Sequence, residues 1–137
     1  MIYEVTTTRV IIDKNGNDKQ LKESFIVDEV DTFAEAENAL YDHLEGSTDL
    51  DVIAVKRSKL REIANERSSD EDKIFIADVA DTFIDEESEE EKVNIYKIAL
   101  YARNYDVAYV NITEHLKQGY GDMEIVGLKK TNFADIL

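Results

Sequence analysis

β-branched and aromatic residues fill positions 2–12, a polar stretch follows at Asp13-Lys14-Asn15-Gly16-Asn17, and apolar residues return between 21 and 30. Such side chains suit a pleated surface, so 2–12 predicts a strand. Asn15-Gly16 is a strong turn signal, and 21–30 is expected to fold back as the second strand of a hairpin. The period then changes. Phe33, Ala36, Leu40 and Leu44 recur at steps of three and four, which places them on one stripe of a helix. Asp31-Thr32 opens that helix. Thr32 with Glu35 three residues later is a capping box, in which side chains satisfy free backbone N–H groups at the helix start. Gly46 supplies the stop, and 50–57 predicts a third strand.

The same pattern is then written again. At an offset of 72 residues Tyr3 and Val10-Ile11-Ile12-Asp13 fall on Phe75 and Thr82-Phe83-Ile84-Asp85. Phe33 and Ala36 fall on Tyr105 and Ala108, Leu40 on Ile112, and Asp42-His43-Leu44 on Glu114-His115-Leu116. An inserted residue moves the offset to 73, where Val55-Lys56-Arg57-Ser58, Leu60 and Ile63 meet Leu128-Lys129-Lys130-Thr131, Phe133 and Ile136. The second copy predicts strands at 74–84 and 93–101, a helix over 105–117 and a strand at 123–130. Asn104 is its expected N-cap, and Gly119 and Gly121 its expected stop; Val107 stands where a capping-box acid would be. The polar segment 64–72 reads as a linker. The expected organisation is a first unit over 1–63 and a second over 73–137, packed together as one globular domain.

A strand–helix–strand step joins parallel strands by a right-handed crossover. Each third strand should therefore run parallel to the second, beside the first, in the order 2-1-3. The fold class this implies is α+β: two pseudo-symmetric ββαβ units with six main strands and two helices.

Composition narrows the function classes. With 137 residues, 43% of them apolar, each half alone would be marginal, which favours halves that pack together. The net charge of −15 and pI near 4.4 oppose generic binding to a phosphate backbone and suit a basic partner. There is no Cys for a disulfide, a thiolate metal site or a Cys nucleophile. No apolar run reaches the roughly 18 residues of a membrane span. Met1-Ile2-Tyr3-Glu4 leads straight into a patterned segment without a targeting signature, so a soluble, cytoplasmic protein is expected.

Three features could carry chemistry. The run Asp85-Glu86-Glu87-Ser88-Glu89-Glu90-Glu91 is the densest charge in the chain. It lacks the alternating ligands, central Gly and final Glu of a Ca²⁺ loop, so it reads as a solvated hairpin tip matching 13–20, or as an acidic decoy. His43 and His115 occupy equivalent positions beside Asp42 and Glu114. Were the helices to meet about a twofold axis, a metal or pH-sensing pair would be conceivable; the simpler reading is a cation near each helix C-terminus. The third feature is the basic pair ending each third strand, Lys56-Arg57 and Lys129-Lys130, each followed by a hydroxyl residue. These could hold phosphates while Tyr96 and Tyr101 stack bases. Alternatively they are solvated strand ends, with Leu60, Ile63, Phe133 and Ile136 clasping the core. No nucleophile elbow, phosphate loop, dinucleotide fingerprint or zinc-helix motif occurs, and no enzyme, cofactor or metal is expected.

Several of these segments resemble a known family. The helix start Asp31-Thr32-Phe33-Ala34-Glu35-Ala36-Glu37, the strand leading into Lys56-Arg57-Ser58-Lys59-Leu60-Arg61-Glu62-Ile63, and the tail Asp135-Ile136-Leu137 are similar to a small family of unknown function from Bacteroidota and their gut phages. The resemblance covers essentially the whole chain and departs from it in the acidity of the second hairpin. It implies an intracellular, phage- or mobile-element-associated protein and supplies no reaction.

The functional expectation is a non-enzymatic binding protein. Its first form binds single-stranded nucleic acid in replication, through Lys56, Arg57, Lys129, Lys130, Tyr96 and Tyr101. Its second is an acidic decoy that occupies a basic surface of a host protein, and a virion-associated structural role is a third. A monomer or weak homodimer is expected, with Lys22, Glu23 and Asp28 in one second strand and Lys92 and Lys97 in the other blunting edge pairing.

Overall fold

The computed structural model of the chain describes residues 1–119 and 122–137. Eight strands and two helices follow in order: β1 (Tyr3–Ile12), β2 (Asp18–Val27), α1 (Phe33–His43), β3 (Thr48–Arg57), β4 (Leu60–Ile63), β5 (Lys73–Ile84), β6 (Glu91–Ala102), α2 (Tyr105–Lys117), β7 (Glu124–Lys130) and β8 (Asp135–Ile136). The protein is α+β, with two four-stranded sheets ordered β3-β1-β2-β8 and β4-β6-β5-β7. In each sheet the hairpin and the strand after the helix stand in the expected 2-1-3 order. Among the described residues no helix is long and apolar enough to cross a membrane.

The local signals act as their chemistry dictates. Asp13 Oδ1 accepts from the backbone N–H groups of Asn15 (2.9 Å) and Asn17 (3.0 Å), and Gly16 takes φ +79°, which shapes the β1–β2 turn. Asp85 does the same for Glu87 at 2.9 Å, but here Glu89 takes the left-handed backbone, at φ 58°. That turn has one residue more than 13–17, so the offset between repeats is already 73 in β6: Val27 pairs with Tyr3, and Leu100 with Phe75. At the helix it returns to 72. Thr32 Oγ1 caps the Glu35 N–H at 3.1 Å, while the Glu35 carboxylate reaches back past the cap to the Asp31 N–H. Asn104 caps Val107 at 2.9 Å. Gly46, at φ +84°, follows α1, and Gly119 follows α2; the other expected stop, Gly121, lies outside the described residues.

Two compact units are present, and they do not follow the two sequence repeats. One comprises Met1–Lys59 with Asn132–Leu137, the other Leu60–Thr131. β4 runs parallel to β6, with Glu62 beside Ile98 and Ile63 beside Ala99. β8 runs parallel to β2, with Phe25 beside Asp135 and Ile26 beside Ile136. Each repeat thus surrenders its last strand to the other sheet, which raises the strand count above the expected six. It also covers part of β2 and β6, so neither second strand is an edge along its whole length. Residues 64–72, expected as a linker, lie inside the second unit, where Asn65 bonds both the N–H (2.7 Å) and the carbonyl (3.0 Å) of Tyr101.

One helix covers one face of each sheet. In the first unit Tyr3, Val5, Phe25 and Val27 close on Ala36 and Leu40, with Ala134 and Leu137 at the margin. In the second, Phe75, Ala77, Val79, Ile98, Leu100 and Ala102 close on Ala108, Ile112 and Leu116. An edge-on aromatic pair sits at the start of each helix: Tyr3 with Phe33 at 5.1 Å and Phe75 with Tyr105 at 5.0 Å. Truncating a fully buried contact residue such as Leu40 or Ile112 to Ala costs about 2–5 kcal/mol.

Candidate functional site

Strand geometry decides what the basic pairs can do. Successive side chains on a strand point to opposite faces. Lys56 pairs with Glu4 and lies on the helix-free face of its sheet; Arg57 pairs with Tyr3 and lies on the helix face. Lys129 and Lys130 pair with Ile76 and Phe75 and are split in the same way. Each sequence doublet is therefore two separate charges. Arg57 donates to Met1 Sδ at 2.9 Å, and the Lys56 ammonium is 3.9 Å from the Glu4 carboxylate. The Lys130 backbone N–H meets the Tyr105 hydroxyl at 3.4 Å.

The two tyrosines do not form a stacking platform. Tyr96 pairs with Val79, on the helix side, whereas Tyr101 pairs with Ile74, on the other. Tyr101 is buried, and each ring is already faced by a guanidinium: Arg61 at 4.1 Å from the Tyr96 centroid and Arg67 at 4.8 Å from that of Tyr101. The period of two in 93–101 would have shown the odd spacing of Tyr96 and Tyr101. The histidines have local roles. His115 meets the Glu62 carboxylate at 3.1 Å, which ties α2 to β4, and His43 packs edge-on against Phe25 at 5.9 Å. Among the described residues no three His, Asp or Glu side chains group to hold a metal ion.

The distal part of the β5–β6 hairpin has a different character. β7 accompanies β5 only as far as Ala80, and β4 accompanies β6 only from Lys97. Beyond those points, among the described residues, no further strand pairs with either edge of the hairpin, which continues as a two-stranded ribbon. On one face it carries Ile84, Val93 and Ile95, which are 71%, 56% and 53% exposed. Its turn carries Asp85, Glu86, Glu87, Glu89 and Glu90. The Lys92 ammonium holds the Asp85 carboxyl below its ordinary pKa, aided by the Glu87 and Ser88 N–H groups, with an ion-pair distance of 2.6 Å. The arm is thus acidic at its tip and apolar along one side. The charge was evident in the sequence; the exposure of the apolar side was not, because the same alternation also marks half-buried strands.

The first unit carries a cleft of about 390 Å³ on its helix-free face. Glu4, Thr6, Lys22, Ser24 and Lys56 line it, with Asn132 and Phe133 from the returning C-terminal segment. Lys56 is the one expected site residue found in it.

Two sheets, each with one helix on one face and a strand taken from the other repeat, define an α+β protein whose exposed chemistry lies in an acidic arm and a basic-lined cleft. The chain belongs to the family defined as DUF4494, a domain of unknown function, whose model matches residues 1–137. Comparison with curated proteins returns no match.

Proposed function

We propose that this is a non-enzymatic interaction protein whose recognition element is the distal β5–β6 arm, seated against a basic groove of a protein partner. The observation that carries this reading is the exposure of Ile84, Val93 and Ile95 on one face of the two-stranded ribbon, behind a turn of five carboxylates. An apolar centre with a charged rim is the usual anatomy of a protein interface. Carboxylates at the tip steer toward basic surfaces and repel nucleic acid. The single-stranded nucleic-acid reading has weaker support, since its basic doublets are split and its tyrosines are faced by arginines. On the arm reading, a phage- or mobile-element-encoded protein of this kind acts on a host protein in the cytoplasm. We also take the two units as diverged copies of one ββαβ design with pseudo-symmetric topology, an inference supported by the shared Asp turn, helix caps and strand order.

A photo-crosslinking residue placed at Val93, and in a control protein at Lys14 on the other hairpin tip, tests the arm in host lysate. The expected result is an adduct with one basic protein from position 93 alone. Affinity for that purified protein should fall at least tenfold on I84S/V93S/I95S and decline with salt. Equal adducts from both positions, or affinity indifferent to the arm, would overturn the reading. Salt-sensitive oligonucleotide binding lost on alanine substitution of Lys56, Arg57, Lys129 and Lys130 would replace it with the nucleic-acid reading.

A further inference from the structure

The two sheets differ most instructively at one cross-strand pair. In the first, Thr6 stands opposite Ser24 and their hydroxyls meet at 3.3 Å. The equivalent register position in the second holds Asp78 opposite Lys97, closed by an ion pair at 2.8 Å. Gly127 flanks that pair so closely that an added Cβ would come within 3.1 Å of Asp78 Oδ2. One copy has its polar position neutralised by an ion pair that is itself partly exposed; the other places two hydroxyls, without charge, at the floor of a cleft. Around that floor stand Lys22, exposed and with no ion pair among the described residues, and Lys56, whose nearest carboxylate is 3.9 Å away. Phe133 adds an apolar wall.

We propose that this cleft binds a small organic oxyanion: a phosphate or carboxylate group held by Lys22, Lys56 and the Thr6 and Ser24 hydroxyls, with its apolar portion lying on Phe133. The groups are of the kind that recognise oxyanions, two ammoniums and a hydroxyl pair that keeps one O–H free while the other bonds within the pair, and charge-assisted bonds are the stronger sort. The volume of about 390 Å³ falls in the range of small-molecule sites. Local charge also fits: on a chain of net charge −15 this cleft has two cations against one anion, Glu4. Glu4 opposes an anionic guest and draws on Lys56, so it limits affinity. The site lies in the first unit and owes nothing to the acidic arm, which lies in the second.

Amide chemical-shift titration of the intact ¹⁵N-labelled protein tests the site with phenyl phosphate, benzoate and, as a neutral control, benzyl alcohol. We expect saturable shifts centred on residues 4–6, 22–24, 54–57 and 132–133 for at least one anion, and none that saturate for the alcohol. The stronger of the two anions identifies the headgroup class. K22Q and K56Q, both at exposed positions, should each weaken binding at least threefold, whereas E4Q should tighten it by a similar factor. Shifts that do not saturate, that appear equally with benzyl alcohol, or that ignore all three substitutions would overturn the proposal.

Discussion

Ile136 lies beside Ile26 in the sheet of the first unit, where it closes a parallel pairing between a strand of one repeat and a strand of the other. Ile63 stands in the reciprocal position beside Ala99. Because each unit needs a segment from the other repeat, neither sequence half contains a complete sheet.

Deleting residues 132–137 tests that dependence. The segment supplies backbone bonds from Ala134 N to Ser24 O (2.7 Å), Leu137 N to Ile26 O (2.8 Å) and Asp28 N to Leu137 O (2.9 Å). Each contributes about 0.5–1.5 kcal/mol net. Leu137 also packs at the margin of the first core. The truncated protein should melt at least ~10 °C lower, with amide exchange rising first in β1 and β2. An unchanged melting temperature would show that the exchanged strand is decorative.

Thr7 offers a change in the opposite direction. It is fully buried, and its hydroxyl has no hydrogen-bond partner among the described residues. An unsatisfied buried hydroxyl costs about 1–3 kcal/mol, and valine has the same shape without it. T7V should therefore stabilise the protein by about 1 kcal/mol in urea denaturation, with an unchanged slope.

The sequence made the hairpins, helices and 2-1-3 order readable because each rests on a local signal: Asn15-Gly16, the Thr32 and Asn104 caps, and the three-and-four spacing of Phe33, Ala36 and Leu40. β4 and β8 were not readable as strands. Four residues and two residues show no period, and their pairing with β6 and β2 is decided by tertiary fit. The apolar residues Leu60, Ile63, Phe133 and Ile136 read as side chains that clasp the core, but which sheet receives each segment does not follow from the sequence. The site fared differently. The faces of Lys56 and Arg57, and of Tyr96 and Tyr101, follow from strand alternation. Lys22 and Ser24 could not be picked out, since their role depends on the segment that brings in Phe133.

Asp72 should set the acid limit of the second unit. It is buried, and its Oδ2 accepts from Ser68 N (2.8 Å), Ser68 Oγ (3.0 Å) and Ser69 N (3.1 Å). The Ser68 N–H is the largest cause holding its pKa below the ordinary 3.8; the Ser68 hydroxyl, the Ser69 N–H and the Arg67 charge add to it, against the opposing effect of burial. A depressed folded pKa means stability that is fully present above 3.8 and lost as pH falls through the lower folded value. D72N should reduce stability at pH 7 by about 1–2 kcal/mol and flatten the loss below pH 4. Urea unfolding at a series of pH values reads both; parallel curves for the two proteins would exclude Asp72 as a source of the acid sensitivity.

Salt should govern self-association through the arm. Beyond Ala80 and Lys97 neither ribbon edge is paired among the described residues, and unpaired edges beside an apolar face recruit further strands unless charge prevents it. Here the charge is a net −15 per chain, concentrated in part at the ribbon's own turn. At low ionic strength that repulsion reaches over tens of ångströms, whereas at 1 M salt the Debye length is about 3 Å. The apolar stripe of Ile84, Val93 and Ile95 is little weakened by salt. The 15.7 kDa chain should therefore sediment as a monomer in 20 mM salt and show weak, reversible dimerisation at 1 M. V93K, which interrupts the stripe at an exposed position and cannot disturb either core, should abolish the high-salt dimer. A dimer already tight at 20 mM salt, or one indifferent to V93K, would place the contact elsewhere on the molecule and remove the arm from self-association.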